Sequence, residues 1–353
     1  MRKKYVWLTL VAALVVSGVI SEPGWAARHH HPPATRPHAA APQQSKQPAL
    51  NETVLQAEVL LARAGFSPGA IDGRDGENFA NALHAFQQAN GLPVGRLDEQ
   101  TIASLTQLSN EPVVAEYTIQ PDDVAGPFAP VIPQDFEKMA QLPRLAYHSP
   151  RQLLAEKFHM SEALLAALNP GKDFAAAGTA ITVANLPQMT PGQYAGTPAG
   201  QGSGSSRAPA KAEAGPAAAR VVVDKPHHAV LVYGADNRLV AFYPASIGSA
   251  EKPAPSGRFV VRSVAQDPTY TYNPAYGFKE QKVRHTVTVR PGPNNPVGLV
   301  WIALSAKGYG IHGTPEPDKV AKTQSHGCIR LTNWDALALA KLVRKGTPVD
   351  FIG

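Results

Sequence analysis

Ser325-His326-Gly327-Cys328-Ile329-Arg330-Leu331 and, upstream of it, Tyr309-Gly310-Ile311-His312-Gly313-Thr314 are the stretches on which the reading of this chain turns. The first holds the only cysteine among 353 residues, and His312 stands sixteen residues before that cysteine. A thiol acts as a nucleophile at neutral pH when a base or a positive environment takes its proton. Gly327 allows close backbone approach, and His326 and His312 supply imidazoles. A lone cysteine is more often a small buried apolar residue, but such a residue needs neither flanking glycine nor histidine. A structural zinc site is disfavoured, because one cysteine and two histidines leave tetrahedral coordination a ligand short. Ile311-His312-Gly313 reads as the close of one strand and Gly327-Cys328-Ile329-Arg330-Leu331 as the opening of another. Thiol and imidazole then share a cleft at a sheet edge.

Working outward, residues 219–353 are β-rich. Val221-Val222-Val223, Ala229 to Tyr233 and Leu239 to Tyr243 are β-branched and aromatic runs split by turn residues. Further strands are predicted at Arg258 to Val264, Val283 to Val289 and Leu299 to Leu304. One main helix follows Leu331, with Thr332 as cap, Asp335 in a position resembling a capping box, and Gly346 as its end. An aromatic insert from Asp267 to Lys282, with Tyr270, Tyr272, Tyr276 and Phe278, is either a lid over the cleft or a surface loop. Trp301 and Tyr309 either line the cleft or sit in the core.

Two smaller modules precede this domain. Residues 49–109 are predicted to form a three-helix bundle. Leu55, Val59 and Ala62 face inward in the first helix, then Ala82, Leu83, Phe86 and Ala89 in the second before Gly91. Ile102 and Leu105 follow Asp98 in the third. A glycine-rich turn from Gly65 to Gly73 joins the first two. Residues 112–186 are predicted to hold two short helices, with Leu154 and Phe158 in one and Leu164, Leu165 and Leu168 in the other, followed by a strand at Ala180 to Val183. No clear opening strand precedes them.

The 33 prolines and 29 glycines gather at the joints. Residues 28–48, with His29-His30-His31, read as a solvated tether, and residues 187–218 as a Gly/Ser/Pro/Ala linker. At the start, Arg2, Lys3 and Lys4 precede an apolar run from Val6 to Ile20 and the small residues of Gly24-Trp25-Ala26-Ala27. That is the pattern of an export signal over residues 1–27, with a membrane attachment only if the segment is retained. The net charge of +6 is spread out, and no basic run pairs with aromatics, which argues against nucleic-acid binding.

The His312 to Cys328 strip resembles the L,D-transpeptidase (YkuD-domain) family. So do Pro255-Ser256-Gly257-Arg258-Phe259, Asn294-Asn295-Pro296-Val297-Gly298 and Cys328-Ile329-Arg330-Leu331 running into the helix. The resemblance covers almost all of residues 220–353. Gly65-Phe66, Ile71-Asp72-Gly73, Phe86-Gln87, Gly91-Leu92, Thr101 and Leu105 are similar to a peptidoglycan-binding module. Phe158-His159-Met160-Ser161, Leu168-Asn169, Gly178 and Ile181 are similar to a LysM glycan-binding repeat; the alternative is a plain spacer.

The resemblance implies a multidomain, exported, periplasmic enzyme acting on peptidoglycan without metal or organic cofactor. Cys328 is then the nucleophile and His312 the base that later acts as acid. Backbone N–H groups of His326, Gly327 and Cys328 form the oxyanion hole. Ser325 holds an imidazole or the loop, and His326 orients the loop or serves as a second base. Arg330 meets a stem-peptide carboxylate or makes a surface salt bridge, and Tyr309 and Gly313 support the site or the substrate. Transfer of the acyl group to a neighbouring stem gives a 3→3 cross-link. Transfer to water makes the enzyme a carboxypeptidase or endopeptidase, and transfer to a lipoprotein links that protein to the wall. A wall-binding protein with an inert thiol is the non-enzymatic alternative.

Overall fold

The computed structural model describes residues 50–189, 218–276, 283–325 and 327–353. The expected export segment, the first tether, all but the ends of the second, His326 and Phe278 lie outside them. No helix among the described residues is long and apolar enough to cross a membrane.

Residues 50–108 form the three-helix bundle. Helices α1 (Glu52–Arg63), α2 (Glu77–Ala89) and α3 (Glu99–Leu108) occur where the apolar periodicity places them. Asn51 caps α1 by accepting from the Thr53 and Val54 amides, and Asp98 caps α3 by accepting from Thr101. Gly91 follows α2 at φ +67°.

The middle module contains the two expected helices, α6 (Pro150–Lys157) and α7 (Glu162–Leu168), and the expected strand β2 (Ala180–Ala184). It also has the opening strand that the sequence reading lacked. This is β1 (Val114–Thr118), antiparallel to β2, with short helices α4 (Pro121–Val124) and α5 (Phe136–Ala140) between β1 and α6. Burial is one reason β1 was missed, since the strand leaves no wholly buried residue and so no clean alternation.

The C-terminal domain is a nine-stranded sheet in the order β5-β4-β3-β13-β7-β10-β11-β12-β6. Strands β3 (Arg220–Asp224), β4 (Ala229–Tyr233), β5 (Leu239–Pro244), β7 (Gly257–Gln266) and β10 (Val300–Leu304) match the predicted runs. The short β6 (Ser246–Ile247), β11 (Gly310–His312) and β12 (Ile329–Arg330) complete one end. Strand β13 (Pro348–Ile352) was not predicted, yet it sits mid-sheet, parallel to β3 and antiparallel to β7. The region Val283 to Val289 is strand only at β9 (Val287–Val289), which pairs with β8 (Tyr270–Tyr272) as a separate hairpin. Asn333–Leu342 is the main helix, capped by Thr332 accepting from the Asp335 amide. It ends at Leu342 rather than Gly346, whose φ of +91° serves the turn into β13.

The modules are not beads on tethers. The glycine-rich turn of the bundle docks on the outermost strand β5, where Ser67 N donates to Phe242 O and Phe242 N to Gly65 O. A sheet edge exposed to pairing is thereby covered. Phe66, Phe86 and Phe242 share one apolar cluster, and Gly65 is required because a Cβ would stand 2.9 Å from Val240 O. Ile71 N donates to His159 O and Ser161 N to Ile71 O, fixing the bundle to the α6–α7 corner. Leu154, Phe158, Leu165 and Ile181 of the middle module then share a core with Val221, Ile302 and Ile329 of the nine-stranded sheet.

A shared core implies shared unfolding. Phe66→Ala is expected to cost ~3–5 kcal/mol and to lower a single calorimetric transition of the full chain. Two transitions, with only the smaller one displaced, would show that the bundle folds independently of the sheet.

Candidate active site

The site follows from strand alternation. Ile302, Ile311, Ile329 and Ile247 stand in register across β10, β11, β12 and β6, and all four are buried. Successive residues of a strand face opposite sides, so the neighbouring register row, Trp301, His312, Arg330 and Ser246, occupies the other face. Cys328 lies two residues before Arg330 and shares that face. His312, Cys328, Arg330, Ser325, Tyr309 and Trp301 all line one cleft of about 1640 Å³.

His312 is buried and its Nδ1 lies 2.6 Å from the Gly313 carbonyl. With the proton on Nδ1 that bond forms, and Nε2 is left with a free lone pair. Burial, reinforced by the Arg330 charge and opposed by the Gly313 bond, lowers the imidazole to about 3, so it is neutral at physiological pH. Trp301 stacks on it at 5.6 Å between centroids. Gly310 must be glycine, because a Cβ there would stand 2.6 Å from the Trp301 ring.

Cys328 is partly exposed, and its Sγ–H points toward the Gly308 carbonyl at 3.9 Å. Burial pushes the thiol up, against a backbone hydrogen bond at Gly310 and the Arg330 charge. The resting pair is therefore a neutral thiol and a neutral imidazole rather than a thiolate–imidazolium pair.

Ser325 serves the loop. Its Oγ donates to Cys328 O at 2.5 Å and accepts from Gly248 N at 2.7 Å, while Ser325 N donates to Gly248 O. Gly327 adopts φ +103°, and a Cβ there would meet the Tyr309 ring at 3.1 Å. Gly313 acts through its carbonyl on His312. Tyr309 and Trp301 both reach the cleft, so neither is purely a core aromatic.

Among the described residues Arg330 makes no surface salt bridge, and its Nε is buried without a hydrogen-bond partner. Burial lowers the guanidinium, opposed by Glu316 and the Cys328 sulfur. A guanidinium with one buried N–H left unpaired, beside Cys328 in the cleft, has the geometry to receive a carboxylate through its planar fork.

The remaining walls come from elsewhere. The β8–β9 hairpin packs Tyr272, Val287 and Val289 against Phe136 and Met139 of α5, so the aromatic insert is a built wall there rather than a loose loop. The middle module adds Pro130, Ile132, Phe136, His148, Gln152 and Glu156 to the cleft. Sequence reasoning missed this contribution. Gln152 and Glu156 read as solvated residues of α6, so no local signal marked it.

Residues 218–351 match the family described as "L,D-transpeptidase catalytic domain" (YkuD), and residues 51–105 match a "Putative peptidoglycan binding domain". A "Putative L,D-transpeptidase YkuD" of Bacillus licheniformis is 34% identical over 131 residues, covering 37% of this chain and 64% of that protein. A "Probable L,D-transpeptidase ErfK/SrfK" of Escherichia coli is 32% identical over 135 residues, covering 37% of this chain and 43% of that protein. The matches thus span less than two thirds of either relative. Among solved structures, L,D-transpeptidase 3 from Mycobacterium tuberculosis is 21% identical over 39% of this chain and 62% of that chain, with a TM-score of 0.33.

Because the thiol is pushed up, alkylation of Cys328 by iodoacetamide is expected to climb only above the ordinary thiol range. In Arg330→Ala that limb moves to still higher pH, since the cation that opposes the shift is gone. Gly327→Ala is expected to slow alkylation at least about tenfold, by straining the loop at a positive φ. A pH–rate profile of each variant checks both; an Arg330→Ala limb at lower pH contradicts the assignment.

Proposed function

We propose that this chain, which carries an L,D-transpeptidase catalytic domain behind a peptidoglycan-binding domain, is an exported periplasmic enzyme that cross-links peptidoglycan through a thioester on Cys328. What carries the reading is the placement of His312, Arg330 and Cys328 on one sheet face above one cleft.

The steps follow from the groups present. The Cys328 sulfur attacks the carbonyl carbon of the L,D bond between the third and fourth stem residues while His312 Nε2 takes the thiol proton. Forming charge only during attack suits a pair that rests neutral. Gly327 and Cys328 amides, with that of His326, receive the oxyanion, each donor being worth ~3 kcal/mol in comparable sites. The C–N bond breaks, D-Ala leaves as an amine with the proton from His312, and the acyl group remains on sulfur. An amine of a neighbouring stem then attacks the thioester, passes a proton to His312, and the proton returns to the sulfur. Arg330 holds a donor-stem carboxylate. No step calls on a metal or organic cofactor.

Full-length protein incubated with a disaccharide tetrapeptide is expected to gain the tripeptide acyl mass on Cys328 and to release cross-linked dimers. Cys328→Ala loses both. Amidating the stem carboxylate, or Arg330→Ala, is expected to raise KM about tenfold or more, and the two changes together no further. Trimmed stems without dimers would assign the hydrolytic reaction instead, and an adduct on any other residue would sink the proposal.

A further inference from the structure

We infer that Glu156, brought to the catalytic domain by the middle module, is a positioning residue for His312. It fixes the Asn333 amide on which the His312–Gly313 turn is seated. The inference rests on the reading that His312 takes the Cys328 proton.

Glu156 is buried at the end of α6. Its Oε2 accepts from Asn333 Nδ2 at 3.0 Å and from Tyr147 OH at 3.3 Å. Asn333 is fully buried, donates also to Pro293 O at 3.2 Å, and accepts from Leu299 N at 3.0 Å through Oδ1. With both ends of the amide engaged, its plane is set. That plane is the floor of the histidine turn. A Cβ on Gly313 would stand 2.2 Å from Asn333 Oδ1, and one on Gly298 would stand 2.1 Å from it. Only glycines let both backbones lie on the amide. Gly313 is held from its other side by donating to Val300 O. Its carbonyl is the one that faces His312 Nδ1. The ring orientation of the base therefore passes through Gly313 to Asn333, and from Asn333 to Glu156.

The segment carrying Glu156 is clamped where it arrives. Leu145 N donates to Pro291 O, Asn294 Nδ2 to Ala146 O, and Gln152 Nε2 to Asn294 Oδ1. A Cβ on Gly292 would stand 2.2 Å from Leu145 O. Among the described residues Glu156 Oε1 is buried with no hydrogen-bond partner, a cost that an apolar side chain of the same size avoids. Burial pushes the carboxyl up to about 8, opposed by the bonds from Asn333 and Tyr147. What the carboxyl supplies at this position is the acceptor Oε2 for Asn333 and Tyr147.

The test uses the full chain, with kcat and KM for the tetrapeptide and the neutral-pH rate of Cys328 alkylation as paired readouts. Glu156→Gln, which keeps an acceptor toward Asn333, is expected to stay within about threefold of wild type on all three. Glu156→Met keeps the volume and removes the acceptor. It is expected to lower kcat and alkylation together by about 10- to 100-fold with KM within about twofold. Combined with Asn333→Ser it should be no worse than Asn333→Ser alone. If Glu156→Met does not fold, Asn333→Ser, too short to reach Glu156, carries the same expectation. A folded Glu156→Met with wild-type kcat and alkylation overturns the inference, and so does a loss confined to KM. Glu156-dependent alkylation in a protein that never turns over the tetrapeptide would remove the transpeptidase reading and leave this inference standing.

Discussion

The register of four isoleucines governs the rest of the structure. Ile302, Ile311, Ile329 and Ile247 lie side by side across four short strands and bury themselves in the common core. A slip of one residue in either β11 or β12 would send its isoleucine to the cleft and its polar neighbour to the interior. The hydrophobic term for burying each of these side chains, ~1.5–3 kcal/mol, is therefore also the term that holds His312 and Arg330 in line. The chemistry needs no separate scaffold, because it occupies the alternate positions of strands that the core already fixes.

That edge of the sheet is thin: β12 and β6 have two residues each. Its rigidity is borrowed. Ser325 ties the Cys328 carbonyl to the Gly248 turn, Asn333 anchors the histidine turn from below, and the middle module braces Asn333 through Glu156 and the 291–294 loop through Leu145 and Gln152. The bundle contributes at the opposite edge, where its glycine-rich turn covers β5. Ser67 also donates to Asp335, whose burial pushes its carboxyl to about 7. The domains are consequently one mechanical body from 50 onward in the described residues, and the cleft has walls from more than one of them.

The parts legible in the sequence were those decided locally. β-branched runs made β3, β4 and β5 plain, Asp98 and Thr332 announced their helices, and glycine and histidine around Cys328 marked the strip. β13 escaped because a strand of five residues bounded by a proline is identified by its two neighbours in mid-sheet, which lie far away in sequence. β1 escaped for want of alternation and β6 because two residues show no pattern, whereas the strip around Cys328 placed β12. The docking escaped for a different reason. Asp335 reads as the third residue of a helix cap, but its partner Ser67 is 268 residues away. Glu156 reads as a solvated helix residue until Asn333, 177 residues on, is placed beside it. Pairing at that separation leaves no periodicity to read.

The electrostatics of the cleft run in one direction. Thiol, imidazole and guanidinium are each pushed by burial toward the uncharged form. Arg330 opposes that trend at Cys328, where its charge favours a thiolate, and reinforces it at His312, where its charge disfavours an imidazolium. A single cation thus biases both partners of the proton transfer toward the state in which sulfur is charged and the ring is not, which makes the sulfur the better nucleophile and the ring the weaker base. An anion arriving at Arg330 removes that bias: it neutralises the guanidinium and relieves the imidazole, so that His312 gains basicity when a carboxylate is bound. The same anion withdraws the help that Arg330 gives a thiolate, so binding there moves imidazole and thiol upward together. Coupling of this kind needs no moving part; it requires only that the three groups share one face of the sheet, as the isoleucine row ensures.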